Sequence, residues 1–405
     1  MKNLNKEYFP YLIFPEFIKE KWTFLPLKRI AIIRSERAGE KKCILLSVSS
    51  GIGLVSQKEK FGREIAGKQY EKYFLVREND FVYNKSSTKL FPQGTINLYS
   101  NKELAAVPSS IFICFYVNFN IINVFYLKYL FEFNIHGKWL KNFITTGARA
   151  HGSFNIDSKD FLSIPIPIPL GEKSLAEQQK IADCLSSLDE LIEVHEQKLD
   201  ALKQHKKGLI QRLFPAEGET TPRWRFPEFQ NDIKWKGYII SDICSVSTGK
   251  SNTQDKVANG VYPFYVRSAT IERSTKYLYE EEAVITVGDG VGTGKIYHYI
   301  NGKYDLHQRC YRLFNFKNIL GKFLFYFFSK NFYKRFSKMT AKNSVDSIRL
   351  NMITEMPIFI PSLPEQQKIA DSLTAIDERI EAQEEKIAAL REHKKGLMQQ
   401  LFPSL

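Results

Sequence analysis

The sequence is poor in cysteine, in histidine and in long apolar runs, and each shortage removes a class of protein. The five cysteines (Cys43, Cys114, Cys184, Cys244 and Cys310) form no CxxC pair and are odd in number. That argues against a disulfide framework or a zinc site and fits a reducing cytosol. No apolar run approaches the roughly 18 residues that span a bilayer, so no membrane partner is expected. The N-terminal stretch is too broken by Pro, Lys and Glu to form a secretory signal, and a cytoplasmic location is expected.

Catalytic motifs are missing as well. No HExxH, no GxSxG, no helicase-type motif and no NPPY-like tetrapeptide of the kind that holds a flipped base occurs. Residues 288–295 read GDGVGTGK, yet Asp289 stands where a P-loop needs its first glycine and Ile296 where it needs Ser or Thr. The simpler reading is a hairpin loop between strands at 283–287 and 296–300, with backbone amides and Lys295 available to a phosphate. The seven histidines are scattered, and His205 and His393 sit on helices, where packing or dipole roles suffice. No catalytic residue, metal ligand set or cofactor is assigned.

What the chain has in abundance is repetition. Residues 177–215, EQQKIADCLSSLDELIEVHEQKLDALKQHKKGLIQRLFP, align without a gap to residues 365–403, EQQKIADSLTAIDERIEAQEEKIAALREHKKGLMQQLFP, and most positions are identical. IPIPIP (164–169) precedes the first copy and MPIFIP (356–361) the second. Each half also opens alike: Pro10-x-x-x-Phe14-Pro15-Glu16-Phe17 matches Pro222-x-x-x-Phe226-Pro227-Glu228-Phe229, and Trp22 and Trp235 follow. The chain therefore alternates globular segment, long helix, globular segment, long helix.

Each long helix carries a seam in steps of four and three, the coiled-coil pattern. The apolar seam is Ile181, Leu185, Leu188, Ile192, Leu199 and Leu202 in the first copy, and Ile369, Leu373, Ile376, Ile380, Ile387 and Leu390 in the second. Polar residues interrupt both seams at the same places, His195 and Lys206 against Gln383 and Lys394, and such interruptions can fix register at a cost in stability. A helix of about 37 residues is ~55 Å long and must bury its stripe. Pairing the two antiparallel within one molecule does so and sets one globular domain at each end. The expected fold is α+β: two α/β domains at 1–170 and 216–361, separated by two long helices at 171–215 and 362–405 that form an antiparallel coiled coil with a pseudo-two-fold internal repeat. Amphipathic helices are also expected at 121–143 and 319–336.

The net charge of +14 is unevenly placed. Residues 1–176 carry +10 and residues 213–364 carry +7, whereas the helical stretches 177–212 and 365–405 carry −1 and −2. Two basic bodies on a neutral spacer point to nucleic acid as the partner of the globular segments. A coiled-coil adaptor that scaffolds proteins without binding DNA is the alternative, and the charge placement disfavours it. Candidate DNA contacts are basic and polar loop clusters: Asn84, Lys85, Ser86, Ser87 and Lys89, then Arg149, His151 and Ser153 in the first half; Arg267 and Ser268, Lys295, then His307, Gln308 and Arg309, then Lys342, Asn343, Ser344 and Arg349 in the second. These residue types read base edges or hold phosphates.

The two EQQKIAD…HKKGL…LFP helices, the IPIPIP and MPIFIP lead-ins and TPRWRFPEF between the halves resemble the specificity subunits of type I restriction-modification systems. The resemblance runs the length of the chain, in the order target-recognition domain, helix, target-recognition domain, helix. The first recognition domain matches less well: Glu36 stands where the second has Gly249. The resemblance implies a non-catalytic chain that gives DNA sequence specificity, each recognition domain reading one half of a split target in double-stranded DNA. It implies two modification subunits that methylate adenine from S-adenosylmethionine, and restriction subunits that supply an ATP-driven motor and endonuclease. The helices would dock the methyltransferases and act as a ruler, with half-sites about one DNA turn apart, roughly 34–36 Å.

Overall fold

A computed structural model describes residues 9–49, 52–86, 91–143, 156–290, 292–340 and 347–403. The chain divides into two compact units, Met1–His195 with Lys386–Leu405, and Glu196–Glu385. Among the described residues no helix is long and apolar enough to cross a membrane.

In the second unit a six-stranded sheet runs Ser245–Thr248, Cys310–Phe314, Tyr279–Val287, Tyr297–Leu306, Tyr262–Tyr265, Glu272–Ser274. All neighbours are antiparallel except Tyr262–Tyr265 with Tyr297–Leu306. The strands expected at 283–287 and 296–300 are parts of longer ones, the second beginning at Tyr297, because Tyr279 to Glu282 continue the ladder against Asn301 to Tyr304.

The first unit repeats this plan in pieces. One four-stranded sheet runs Ala31–Arg34, Phe112–Val117, Phe81–Asn84, Thr95–Leu98, and another runs Gly53–Ser56, Ile44–Ser49, Ala105–Val107, Phe74–Val76. Phe74–Val76 and Phe81–Asn84 pair with the strands that correspond to those flanking Tyr279–Val287. The interruption between them is polar. Asn79 takes a left-handed φ of 68°, and the Asp80 side chain is buried, accepting from the Arg77 amide at 2.8 Å and pairing with Arg34 at 2.7 Å.

Each unit has a helix bundled on its sheet. Gly321–Thr340 is one helix in the second unit. In the first, the helix expected over 121–143 is two, Val124–Glu132 and Ile135–Leu140, because Asn134 adopts φ 61°. Each unit also has a two-stranded ribbon, Trp22–Pro26 with Pro165–Pro169 and Lys236–Ile239 with Pro357–Ile360. In Pro165–Pro169 proline occupies every second position, so that strand's missing N–H groups all fall on one edge. Ile164, Ile166 and Ile168 then point into the core, where they are fully buried or nearly so.

The long helices are Ser174–Leu213 and Leu363–Leu401, 40 and 39 residues, each about 60 Å by the helical rise. Of the seam positions, Ile181, Leu185, Ile192, Ile369, Leu373, Ile376 and Ile387 are buried, and Leu188, Leu199, Leu202, Ile380 and Leu390 are half-buried. In the first unit Ile181, Ala182 and Leu185 share a core with Met398, Leu401 and Phe402. In the second, Leu213 and Phe214 share one with Ile369, Ala370 and Leu373. Lys203 meets Glu384 at 2.6 Å and Lys206 meets Asp377 at 2.5 Å, so contacts advance along one helix as they retreat along the other.

The identical EQQ of the two copies has a physical reason. The Gln178 side chain accepts from the Asn123 amide at 2.8 Å and donates to the Ile121 carbonyl at 3.1 Å. Gln366 accepts from the Leu320 amide at 2.9 Å and donates to the Asn318 carbonyl at 3.2 Å. Each glutamine, fully buried, therefore satisfies the backbone where its unit's sheet-packed helix begins.

Candidate nucleic-acid interface

The second unit gathers most of its candidate residues at one end of the sheet. The loop 288–295 follows Tyr279–Val287, and its first residue is pinned: the Gly288 amide donates to the Arg309 carbonyl at 2.8 Å, and the Ile348 amide donates to the Gly288 carbonyl at 2.7 Å. A Cβ on Gly288 would lie 2.7 Å from the Arg309 oxygen, so only glycine allows this approach. Three segments distant in sequence thereby meet: 288–295, 307–309 and 347–349.

Asp289, next in the loop, organises the charge. One of its oxygens takes Arg267 at 3.3 Å and the other takes Arg309 at 3.1 Å. Both guanidinium side chains stay about half or more exposed, at 49% and 62%. Two cations held on one carboxylate keep a net positive charge and are oriented before any ligand arrives. Arginine held this way retains free N–H donors for a guanine edge or a phosphate.

Gln308 and His307 complete the cluster differently. The exposed Gln308 amide donates to Asn252 Oδ1 at 2.5 Å, and its backbone N–H donates to the Ser251 carbonyl at 2.9 Å. Ser251 in turn donates to the fully buried Asp305 at 2.6 Å, which also accepts from Ser274 at 3.1 Å and from the Leu306 amide at 2.8 Å. His307 is buried, at 4% exposure. Burial lowers its pKa, the cations Arg267 and Arg309 lower it further, and Asp289 opposes them. Its Nδ1 accepts from the Arg309 amide at 3.0 Å, so the neutral ring carries its proton on Nε2. His307 thus holds the loop backbone and does not itself face solvent.

Lys295 is exposed, with Nζ 5.1 Å from the centre of the Tyr333 ring. Ser268 is exposed and donates to the Thr270 carbonyl at 3.3 Å. Arg349 is exposed one residue beyond Ile348, whose carbonyl accepts from the Tyr311 hydroxyl at 3.0 Å. Lys342, Asn343 and Ser344 lie outside the described residues. Asn252, Ser251 and Asp289 were not singled out from sequence, though the polar run KSN directly after Gly249 was a visible signal. Gly249 is itself a close approach, since a Cβ there would sit 2.2 Å from the Leu306 oxygen. At Glu36, its opposite number in the first unit, Lys41 and Arg77 hold the carboxyl down at about 2.

The first unit places fewer of its candidates. Asn84 is buried and its side chain accepts from the Ser86 amide at 3.0 Å, a turn-holding role. The Lys85 amide donates to the Ile111 carbonyl at 3.0 Å, and Lys85 and Ser86 are half-buried. Asn84 and Ser86 line a cavity of about 280 Å³ with Thr95, Asn97 and His136. Burial pushes His136 down to about 4, which keeps it neutral. Ser87, Lys89, Arg149, His151 and Ser153 lie outside the described residues. Among the described residues no group of His, Cys, Asp and Glu could hold a metal ion.

Known proteins share this architecture. The model of the type I restriction modification DNA specificity domain matches residues 19–204 and 232–392. The chain is 26% identical over 292 residues to the type I restriction enzyme MjaVIII specificity subunit of Methanocaldococcus jannaschii, covering 65% of this chain and 67% of that protein. It is 26% identical over 152 residues to the EcoDI specificity subunit of Escherichia coli, covering 37% and 33%. The fold is similar to the crystal structure of a type I restriction-modification S subunit from M. genitalium, with a TM-score of 0.66 at 14% identity over 98% of this chain and 99% of that one. It is also similar to a chain from a structural study of complex assembly and conformational transition in the type I system, with a TM-score of 0.55 at 14% identity over 97% and 99%.

Proposed function

The chain belongs to the type I restriction modification DNA specificity domain family, and from that premise we propose how it delivers sequence specificity. Each recognition domain, 1–170 and 216–361, reads one half of a split target in double-stranded DNA. The observation that carries this is the set of Arg267, Arg309 and Gln308, oriented by Asp289 and Asn252 at one end of a sheet and left open to solvent. Lys295 and Arg349 beside them hold phosphates, and His307 holds the loop.

The helices at 171–215 and 362–405 form an antiparallel coiled coil with pseudo-two-fold symmetry. They set the spacer between half-sites and present two equivalent surfaces to two modification subunits. Adenine methylation and ATP-driven cleavage belong to the modification and restriction subunits, and this chain catalyses neither. The complex works in the cytoplasm.

The experiment is co-expression with the cognate modification subunit in an unmodified host, followed by genome-wide mapping of methylated adenines. A split motif with one fixed spacer is expected. R267A/R309A should relax or abolish the half read by the second domain and leave the other half intact, with a loss of about 1–3 kcal/mol per bidentate base contact. Methylation that is absent or scattered with an active partner would sink this reading, as would a double variant with an unchanged motif. A scaffold that binds no DNA would in addition lack salt-sensitive binding to duplex.

A further inference from the structure

The two seam lysines, Lys206 and Lys394, occupy places where a coiled coil wants an apolar residue. Each has the same surroundings. In the first unit Lys394 Nζ lies 2.6 Å from Asp189 Oδ1, and the Tyr129 hydroxyl donates to Asp189 Oδ2 at 2.8 Å. In the second, Lys206 Nζ lies 2.5 Å from Asp377 Oδ1, and the Tyr326 hydroxyl donates to Asp377 Oδ2 at 2.8 Å. Each lysine also rides on the ring of the same tyrosine, 4.8 Å from the centre in one case and 5.5 Å in the other. The lysine, the aspartate and the tyrosine come from three different elements: one long helix, the other long helix, and the helix packed on the unit's own sheet.

We infer that Tyr129–Asp189–Lys394 and Tyr326–Asp377–Lys206 are positioning residues that fix the helix register and thereby the spacer between the two half-sites, an inference that rests on the specificity-subunit reading above. The lysines are only 14% and 26% exposed, so a register that stripped either of its carboxylate would leave a largely buried charge unpaired. A slip of one heptad in one direction carries Lys206 to Ala370 and Lys394 to Ala182, with no counter-charge at either. A slip in the other direction brings glutamates, Glu384 and Glu196, but parts each lysine from the aspartate that its tyrosine holds. The tyrosine matters because it is the link to the recognition domain that both clusters share. It holds that domain to the carboxylate that sets the register, so helix register and domain position move together or not at all.

The two clusters differ in reinforcement. Asp189 is also reached by Lys128 at 3.4 Å, and Lys394 also reaches Glu132 at 2.9 Å. Burial raises the Asp189 carboxyl, but Lys394 and Tyr129 outweigh it and the net shift is downward. The equivalents of Lys128 and Glu132 in the second unit are Phe325 and Ser329, so that cluster lacks those two charges, and the Tyr326 hydroxyl also meets Thr374 Oγ1 at 3.3 Å.

The test is the motif itself. K206M/K394M, co-expressed with the modification subunit, should methylate the same two half-sites at more than one spacer length, where the unmodified chain gives one. The share of sites with a second spacer should rise about tenfold or more, equivalent to about 1.4 kcal/mol of register preference. K206R/K394R should restore a single spacer, which a merely structural role for the methylene stem would not require. Should the methionine variant fail to fold, Y129F/Y326F keeps both ion pairs, removes only the hydroxyl tie to the domains, and should give the second spacer as a minor class. Folded variants of either kind with one unchanged spacer would overturn the inference. A wild-type chain with no split motif would instead bring down the specificity reading, and the inference with it.

Discussion

Glu177 and Glu365 occupy the same place in the two copies of the repeat and are equally buried, at 1% exposure, yet among the described residues a cation pairs with Glu365 alone of the two. Arg225 grips Glu365 with two hydrogen bonds, Nε to Oε1 at 2.8 Å and Nη2 to Oε2 at 2.6 Å. The frame that places Arg225 in the second unit places Ile13 in the first. Glu177 is left with an Oε2 that has no hydrogen-bond partner. Duplication has kept the position of the carboxyl and not its chemistry, so the two units are matched in architecture and unmatched in electrostatics.

The largest effect should come from breaking the pair that exists. R225M strands Glu365 as a buried charge with no partner, and loss of one member of a buried pair costs about 3–5 kcal/mol. Urea unfolding of the full chain should show the transition of the second unit moved to much lower denaturant. A shift no larger than that of a surface ion pair, about 1 kcal/mol or less, would show that Glu365 finds another way to be satisfied.

The opposite unit supplies the next test. Burial raises the Glu177 carboxyl to about 7, with the Trp22 indole N–H pulling the other way. An unfolded glutamic acid, near 4.5, releases its proton first as pH rises, so between about 4.5 and 7 the folded state holds a proton that the unfolded state has lost. Stability from this group is therefore complete below about 4.5 and lost as pH rises through 7. E177Q removes the titration. It should unfold at higher urea than wild type at pH 8, by about 1–2 kcal/mol for relief of a buried unsatisfied group, and the gap should close toward pH 5. A gap that does not change with pH would mean that Glu177 gives up its proton at the same pH in the folded and the unfolded chain.

These contrasts also mark how far the residues alone could be read. The long helices, their seam and the order of segments followed from period and repetition, because heptads and a gapless copy are local signals. The basic loops around 267, 295 and 307–309 were legible as a set from their composition. Their organisation by Asp289 was not, since an acidic residue in a basic patch looks like dilution until its two oxygens are seen to hold two arginines. The split of the first domain's strand at 77–80 was hidden for a similar reason. Asp80 and Asn79 are residue types common in turns, and the charge that pairs with the buried aspartate comes from Arg34, 46 positions away. The break in the helix at Asn134 rests on one left-handed residue that no hydrophobic pattern marks. Lys206 and Lys394 were visible as interruptions of the seam, but their partners come from other elements and carry no periodic trace.

The smallest effect is expected where the two units solve one problem by different means. Each long helix ends in Leu-Phe-Pro, and the phenylalanine packs under the unit's sheet-packed helix: Phe402 against Tyr126 at 5.7 Å, Phe214 against Phe323 at 5.2 Å. Seven residues beyond Tyr126 is Phe133, whose ring lies 5.7 Å from Phe402; seven beyond Phe323 is Lys330. Lys330 donates to the Phe214 and Pro215 carbonyls at 3.1 and 3.2 Å, which satisfies the end of the helix. Burial, with Arg223 adding and Glu219 opposing, pulls it down to about 8. K330M loses those hydrogen bonds but also ends the cost of burying an ammonium, and the two nearly cancel, to within about 1 kcal/mol at pH 7. The pH dependence separates them. Between about pH 8 and 10.5 the unfolded lysine keeps a proton that the folded one has shed, so wild type gains stability with rising pH and K330M does not. Urea midpoints for both chains at pH 7 and pH 10 should therefore diverge in favour of wild type at the higher pH. A constant difference would mean that the ammonium is not desolvated where it meets the Phe214 and Pro215 carbonyls.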